Sequence, residues 1–194
     1  GRQEELKYQL QEASVVVHTA GAKEQFDIFR PFTVGNSAYE AEAVDLNGTK
    51  ALVDAAVATG VKKFIYVSSV LVNGKALGVD EKDAYKNMNS YGSRLEQKRK
   101  AEEYIKKSGL DYTIIRPVPM NNDDPRSVGN LYFAKPDTFK LEAGEVGDRV
   151  SRDDVSVAIV DAIFNEKASR GTFELVDAKN PIGPTPRNAW WEAK

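Results

Sequence analysis

Two hydroxyls, Ser68 and Ser69, end a short apolar run, and a polar helix-like stretch further on carries Tyr91, Arg94 and Lys98. A serine hydroxyl at a strand end can orient a carbonyl. A lysine close to a tyrosine lowers the phenol's proton affinity, so that it can act as acid or base near neutral pH. Tyr91 lies seven residues before Lys98, so the two share a helix face but stand about 10 Å apart along its axis. A partner four residues away would be about 6 Å apart, and Arg94 holds that place. The spacing therefore sets a second cation where a closer proton donor would sit, suited to an anionic ligand or to solvent.

Alternating strand and helix signals would position these groups, which points to parallel βα units. Arg2 to Glu12 reads as a short helix, followed by the strand Ser14-Val15-Val16-Val17-His18-Thr19 and then Ala20-Gly21-Ala22. After a loop with Pro31, Gly35 and Asn36, a helix from about Ser37 to Thr59 carries Ala41, Val44, Leu52, Ala55 and Ala56 on one side, and Gly60 stops it. Lys63-Phe64-Ile65-Tyr66-Val67 follows, apolar enough for a strand covered on both faces. Residues 71–89 read as polar loop, 91–108 as helix, 111–115 as strand and 116–150 as a long loop. Ser151 with Asp154 three residues on predicts the capped start of a helix over 152–165. Thr172 to Val176 reads as the last strand. The expected division is a domain over 1–179 and a tail over 180–194 that holds Trp190-Trp191, docked on the domain or on a partner.

Composition narrows the class. The chain has 194 residues, enough for one domain with a real core. With 27 basic and 29 acidic residues it has no electrostatic case for nucleic acid as principal partner. No apolar run approaches the roughly 18 residues that span a bilayer. Without cysteine and with a single histidine, thiolate catalysis is excluded and a zinc or iron site is improbable. Packing explains His18 best, at an apolar strand end. Asn121-Asn122-Asp123-Asp124-Pro125 reads as turn chemistry rather than a cation site, and Asn47-Gly48-Thr49 is a glycosylation sequon inside a helix. The pairs Glu96 with Lys100, Glu102 with Lys106 and Glu103 with Lys107 have the favourable i to i+4 order of a solvated helix face.

Several ordered motifs resemble one family. Val44-Asp45 with Gly48 and Asp54-Ala55-Ala56, Gly60-Val61-Lys62-Lys63, Val67-Ser68-Ser69, Lys98-Arg99-Lys100-Ala101-Glu102 and Ser151-Arg152-Asp153-Asp154-Val155 fall in the order seen in atypical short-chain dehydrogenase/reductases. That branch of NAD(P)-binding Rossmann proteins includes NmrA-like regulators and plastid NADP-binding proteins. The resemblance covers nearly the whole chain as the C-terminal two thirds of such a domain, and implies a doubly wound α/β fold with a parallel sheet. No G-x-G-x-x-G or G-x-x-G-x-x-G turn is present, and the first strand resembles the family's fourth. The expectation is that the phosphate loop and first three strands lie outside a chain that begins at Gly1, with a half-Rossmann lacking the loop as the alternative. Val15-Val16-Val17 would then be a sheet edge, open along residues 14–19 to the missing segment or to a protein partner.

The resemblance implies NADP or NAD as cofactor. In an open parallel sheet, ligands sit outside the carboxyl ends of the strands, here Thr19-Ala20-Gly21, Ser68-Ser69 and Arg116-Pro117-Val118. Lys98 would reach the ribose hydroxyls, and Ser68, Ser69, Lys98 and Tyr91 are the catalytic candidates. Hydride-transfer members usually carry Tyr-x-x-x-Lys, and Arg94 in place of that tyrosine departs from it. Two functions follow: an NAD(P)(H)-dependent oxidoreductase acting on a small molecule, or a noncatalytic nucleotide-binding scaffold, an accessory subunit of a photosynthetic or import complex. The resemblance also implies a chloroplast location, in the stroma or peripheral to a plastid membrane.

Overall fold

Short β-branched and aromatic runs form the centre of the molecule. The computed structural model describes residues 2–22, 40–90, 92–122, 130–141, 149–178 and 183–193. Strands β1 (Val15–His18), β2 (Lys63–Val67), β3 (Tyr112–Pro117), β5 (Leu131–Ala134) and β7 (Gly171–Asp177) make one sheet in the order β1-β2-β3-β7-β5. The first four are parallel, and β5 joins antiparallel to β7. Two short strands, β4 (Met120–Asn121) and β6 (Val150–Ser151), pair in parallel beside it. All five residues of β2 are buried, as a strand covered on both faces requires. Among the described residues β1 pairs only with β2, and Val17 on that edge is 40% exposed.

Helices cover both faces. Helix α1 (Arg2–Leu10) packs on α2 (Thr49–Thr59), and α2 and α4 (Arg94–Lys107) bury Val53, Ala56, Ala101 and Ile105 against Val16, Phe64, Tyr66 and Ile114. Gly60 ends α2 with φ of +74°, a left-handed cap that costs glycine least. The opposite face takes α5 (Arg152–Phe164), whose Val155, Ala158 and Ala162 pack with Ile65, Ile115, Phe173 and Leu175.

The cap expected at Ser151 forms. Its hydroxyl accepts from the Asp154 amide at 3.0 Å and donates to the Asp154 carboxylate at 2.7 Å. Ser151→Ala is expected to lower stability by about 1 kcal/mol, read as a shift in the urea midpoint; an unchanged midpoint would mean that the cap is dispensable.

Four expectations change. Residues 71–89 were expected as loop, but contain helix α3 (Asp83–Asn89), because Tyr85 buries its ring beside Gly74. A Cβ on Gly74 would stand 2.2 Å from that ring, so the contact needs glycine. The loop expected over 116–150 contains β4, β5 and β6: Leu131-Tyr132-Phe133-Ala134 is a fourth apolar run, too short to stand out among prolines and glycines. The helix expected from Ser37 is described from residue 40 and starts with a π-helical segment, Glu42–Gly48. Glu102 leaves the solvated face and is 2% exposed, although Lys106 still stands 3.6 Å away. The other two helix carboxylates choose different partners, Glu96 pairing with Lys75 at 2.8 Å and Glu103 with Arg99.

The tail closes on the domain. Trp190 and Trp191 sit in a 3₁₀ turn (Arg187–Glu192), each 2% exposed, against Phe133 and Phe173 at centroid distances of 4.9 to 5.1 Å. Their indole N–H groups donate to the Thr185 carbonyl and the Asp161 carboxylate, so neither buried donor is left unpaired.

Candidate functional site

Parallel strands direct alternate side chains to one face, and on the face under α4 this brings His18, Tyr66, Ser68, Arg116 and Glu174 to the carboxyl end of the sheet. His18 is in register with Tyr66, and Arg116 with Glu174. The Ser68 amide donates to the Ile115 carbonyl at 2.7 Å, which continues the ladder past β2. Two centres of charge are built on this row.

The first surrounds Lys98, which α4 lowers toward the end of β2. Its ammonium lies 3.0 Å from the fully buried Asp45 carboxylate, 3.5 Å from the Val67 carbonyl and 5.3 Å above the Tyr66 ring. The other Asp45 oxygen accepts from the Ala22 amide at 3.2 Å, tying the turn after β1 to the π-helical segment. Gly21 lies against the pair: a Cβ there would stand 3.4 Å from the Asp45 carboxylate and 3.7 Å from the Lys98 ammonium, ordinary contact distances. The Thr49 hydroxyl has one proton, which it donates to the Asp45 carbonyl at 2.9 Å, so the His18 Nε2 at 2.8 Å from that hydroxyl is the donor. His18 is held well below the usual imidazole range, at about 4, first by burial and then by the Lys98 charge, with Asp45 opposing. The Tyr66 hydroxyl is raised above the ordinary phenol value, by burial first and then by Asp45 and Glu102. It stays protonated.

The second centre is Arg116, 1% exposed. Its Nε and Nη2 donate to the two oxygens of Glu102 at 2.9 and 2.7 Å, and Nη1 donates to Asp137 at 2.7 Å with Glu174 at 3.5 Å. Asn73 donates to both Asp137 oxygens, and Glu174 accepts from the amides of Asp137, Thr138 and Phe139. Burial would lower the guanidinium's proton affinity; the Glu102 bonds, with Asp137 and Glu174 behind them, outweigh it and raise it. Burial lifts the Glu174 carboxyl above its ordinary value. The cluster fastens residues 135–139 over the sheet end, including Asp137 at φ of +67°.

The residues singled out by sequence separate accordingly. Thr19, Ala20 and Gly21 follow β1 and are exposed; Ser68 is buried and Ser69 half-buried after β2. Pro117 ends β3, and the buried Val118 donates its amide to the Leu175 carbonyl. Lys98 stands among these strand ends, whereas the Arg116 side chain is committed to carboxylates of its own domain. Tyr91 lies outside the described residues, and so do Asp123, Asp124 and Pro125. Among the described residues no group of acidic or histidine side chains could hold a metal ion, and no helix is long and apolar enough to cross a membrane.

Asp45 was not among the sequence candidates. The available signal was a carboxylate four residues after Ala41 and seven before Leu52, on the apolar stripe of its helix. Among the described residues the buried Tyr66 and Ser68 hydroxyls meet no hydrogen-bond partner of good geometry, although Thr49 is near enough to Tyr66 to favour its ionised form slightly. Buried polar groups are rarely left so. With the Lys98 ammonium at the same strand ends, they suit a ligand that brings hydroxyl or carbonyl oxygens.

Similarity to other proteins agrees with this arrangement. A family model described as NAD(P)H-binding matches residues 1–166. The chloroplastic protein At2g34460 of Arabidopsis thaliana is 40% identical over 85% of this chain and 52% of its own. Sanguinarine reductase of Eschscholzia californica is 33% identical over 76% of this chain and 50% of its own. The chain thus spans about half the length of these two relatives. The solved structure of the oxidoreductase ylbE from Lactococcus lactis superposes on 98% of this chain and 72% of its own with a TM-score of 0.71, at 20% identity, which speaks for the fold alone. With its mostly parallel sheet and helices on both faces, the chain belongs to the NAD(P)H-binding family, as an atypical short-chain dehydrogenase/reductase of Rossmann type.

Proposed function

We propose that the protein binds NAD(P)(H) across the carboxyl ends of β1, β2 and β3 and serves as an oxidoreductase for a small molecule. The observation that carries this reading is the buried Lys98 ammonium at the strand ends beside Gly21, together with the buried Ser68 and Tyr66 hydroxyls, which meet no hydrogen-bond partner of good geometry among the described residues. Lys98 would hold the ribose hydroxyls, the turn Thr19-Ala20-Gly21 and the segment Pro117-Val118 would border the nicotinamide half, and Ser68, with Ser69 beside it, would orient a substrate carbonyl. When bound, the reduced cofactor supplies a hydride. The Arg116 side chain takes no part in this reading, because Glu102, Asp137 and Glu174 occupy its donors. One relative is a reductase by name, which supports the reaction class. The chloroplastic relative supports a plastid location, with stroma or a peripheral membrane position as the finer assignment.

A second reading, a nucleotide-binding accessory subunit without catalysis, is favoured by Arg94 in the place four residues before Lys98. A partner along residues 14–19 would suit the exposed edge of β1. Calorimetric titration with NADPH and NADH tests the common ground of both readings. Binding is expected, and Lys98→Met is expected to weaken it at least tenfold, about 1.4 kcal/mol. Absence of binding at millimolar nucleotide would overturn the assignment. Oxidation of bound NADPH by a panel of carbonyl and quinone acceptors then separates the readings, since an accessory subunit would leave the nucleotide intact.

A further inference from the structure

Asp45 is a charged side chain with no exposure, carried on a π-helical segment, and its carboxylate joins two other parts of the molecule, α4 and the turn after β1. Its Oδ1 meets Lys98, its Oδ2 takes the Ala22 amide, and its carbonyl takes the Thr49 hydroxyl, which His18 in turn pins. π-helical turns are rare inside α-helices and are frequently found at functional sites. Here the widened turn faces Asp45 into the protein, although its sequence neighbours Ala43 and Val44 line the outer groove with Asn47 and Gly48. Lysine has a long stem with many rotamers and a point charge. Among the described residues, the other groups that meet the Lys98 ammonium are the Val67 carbonyl at 3.5 Å and the face of the Tyr66 ring at 5.3 Å, neither of them an anion, so the Asp45 carboxylate at 3.0 Å is what fixes it beside Gly21.

We infer that Asp45 is the positioning residue of the nucleotide site: it holds the Lys98 ammonium beside Gly21 at the strand ends and ties that placement to the turn after β1 through the Ala22 amide. The inference rests on the nucleotide-binding reading above and deepens it. It assigns a cooperative role that crosses three elements, so Asp45 acts through Lys98 and through the Ala22 amide rather than by touching the ligand first.

The test is a double-mutant cycle on the whole chain, with NADPH as the titrant. Asp45→Asn and Lys98→Met are each expected to weaken binding about tenfold or more, and the double variant to bind no worse than Lys98→Met alone. A residue that acted only on the fold would give losses that multiply. The double variant also guards against unfolding, because removing both members of a buried pair is less damaging than stranding one; its cooperative thermal transition confirms the fold. A second readout does not depend on nucleotide. In protein labelled at the lysine side-chain nitrogen, the Lys98 ammonium, identified by its disappearance in Lys98→Met, is expected to show a protected proton signal that Asp45→Asn abolishes. Multiplicative losses, or a signal unchanged in Asp45→Asn, would overturn the inference. A signal that disappears as expected in a protein that binds no NADPH would leave the positioning role standing and remove the nucleotide reading instead.

Discussion

Replacing Arg116 with methionine is expected to cost the fold about 3 to 5 kcal/mol, the range for stranding the partners of a buried ion pair. The size follows from what is left behind. Glu102 and Glu174 are 2% and 0% exposed, and both would keep carboxylates in the interior with no cation within reach among the described residues except Lys106 at 3.6 Å from Glu102. Methionine preserves much of the stem's packing, so the loss reports the charge rather than a cavity. Because Glu174 also holds the amides of residues 137 to 139, the segment over the sheet end should loosen with it. Urea unfolding of the two proteins measures the cost, and amide hydrogen exchange of residues 135–141 measures the loosening. A loss below about 1 kcal/mol, the range of surface pairs, would show that water reaches the cluster and that its burial is overstated.

Acid should destabilise the protein through His18 before most carboxylates titrate. The imidazole has a value of about 4 in the folded chain against 6.5 for the free side chain. The unfolded chain therefore takes up a proton that the folded one refuses. The sign is fixed by this inequality: the contribution is complete above about pH 6.5 and is lost as pH falls from there toward 4. Its full size is about 3 kcal/mol, from 1.36 kcal/mol for each pH unit between the two values. His18→Phe should keep the ring contact with Tyr66, which stacks on His18 at 5.3 Å, while removing the titration. Unfolding free energies measured between pH 7.5 and 4.5 should then fall less steeply in the variant than in the parent. Parallel curves would sink the claim that His18 is buried neutral. The groups that face His18 are Lys98, which opposes its charge, and Asp45, which favours it, so the Asp45→Asn protein should show a steeper fall than the parent.

What was legible beforehand depended on whether a signal is local. Helix stops such as Gly60 and the Ser151 cap are decided within a turn or two of backbone, and both formed as read. The buried strands β2 and β3 stood out by continuous apolar residues. β5 did not, since four apolar residues between polar segments are equally consistent with a loop, and its pairing with β7 depends on a distant strand. Among the proposed site residues, the positions of Ser68 after β2 and of Lys98 on α4 were legible from type and spacing. The role of Arg116 was not, because a strand-end arginine looks the same whether it faces a ligand or three carboxylates.

By itself the sequence determined the order of the four parallel strands and the main helices between them, and the end of the sheet at which polar side chains would gather, because periodicity, caps and strand-end position are properties of neighbouring residues. Only the tertiary structure decided which charges meet. Asp45 and Glu102 lie on helices that each read as ordinary, and packing those helices on one sheet face delivers one carboxylate to Lys98 and the other to Arg116. In the interior, where an unpaired charge is far more costly than in water, those encounters separate a cation placed beside Gly21 at the strand ends from one held among three carboxylates. Nothing in the local pattern of either helix encodes that division, since it depends on distances between elements that are remote in the chain.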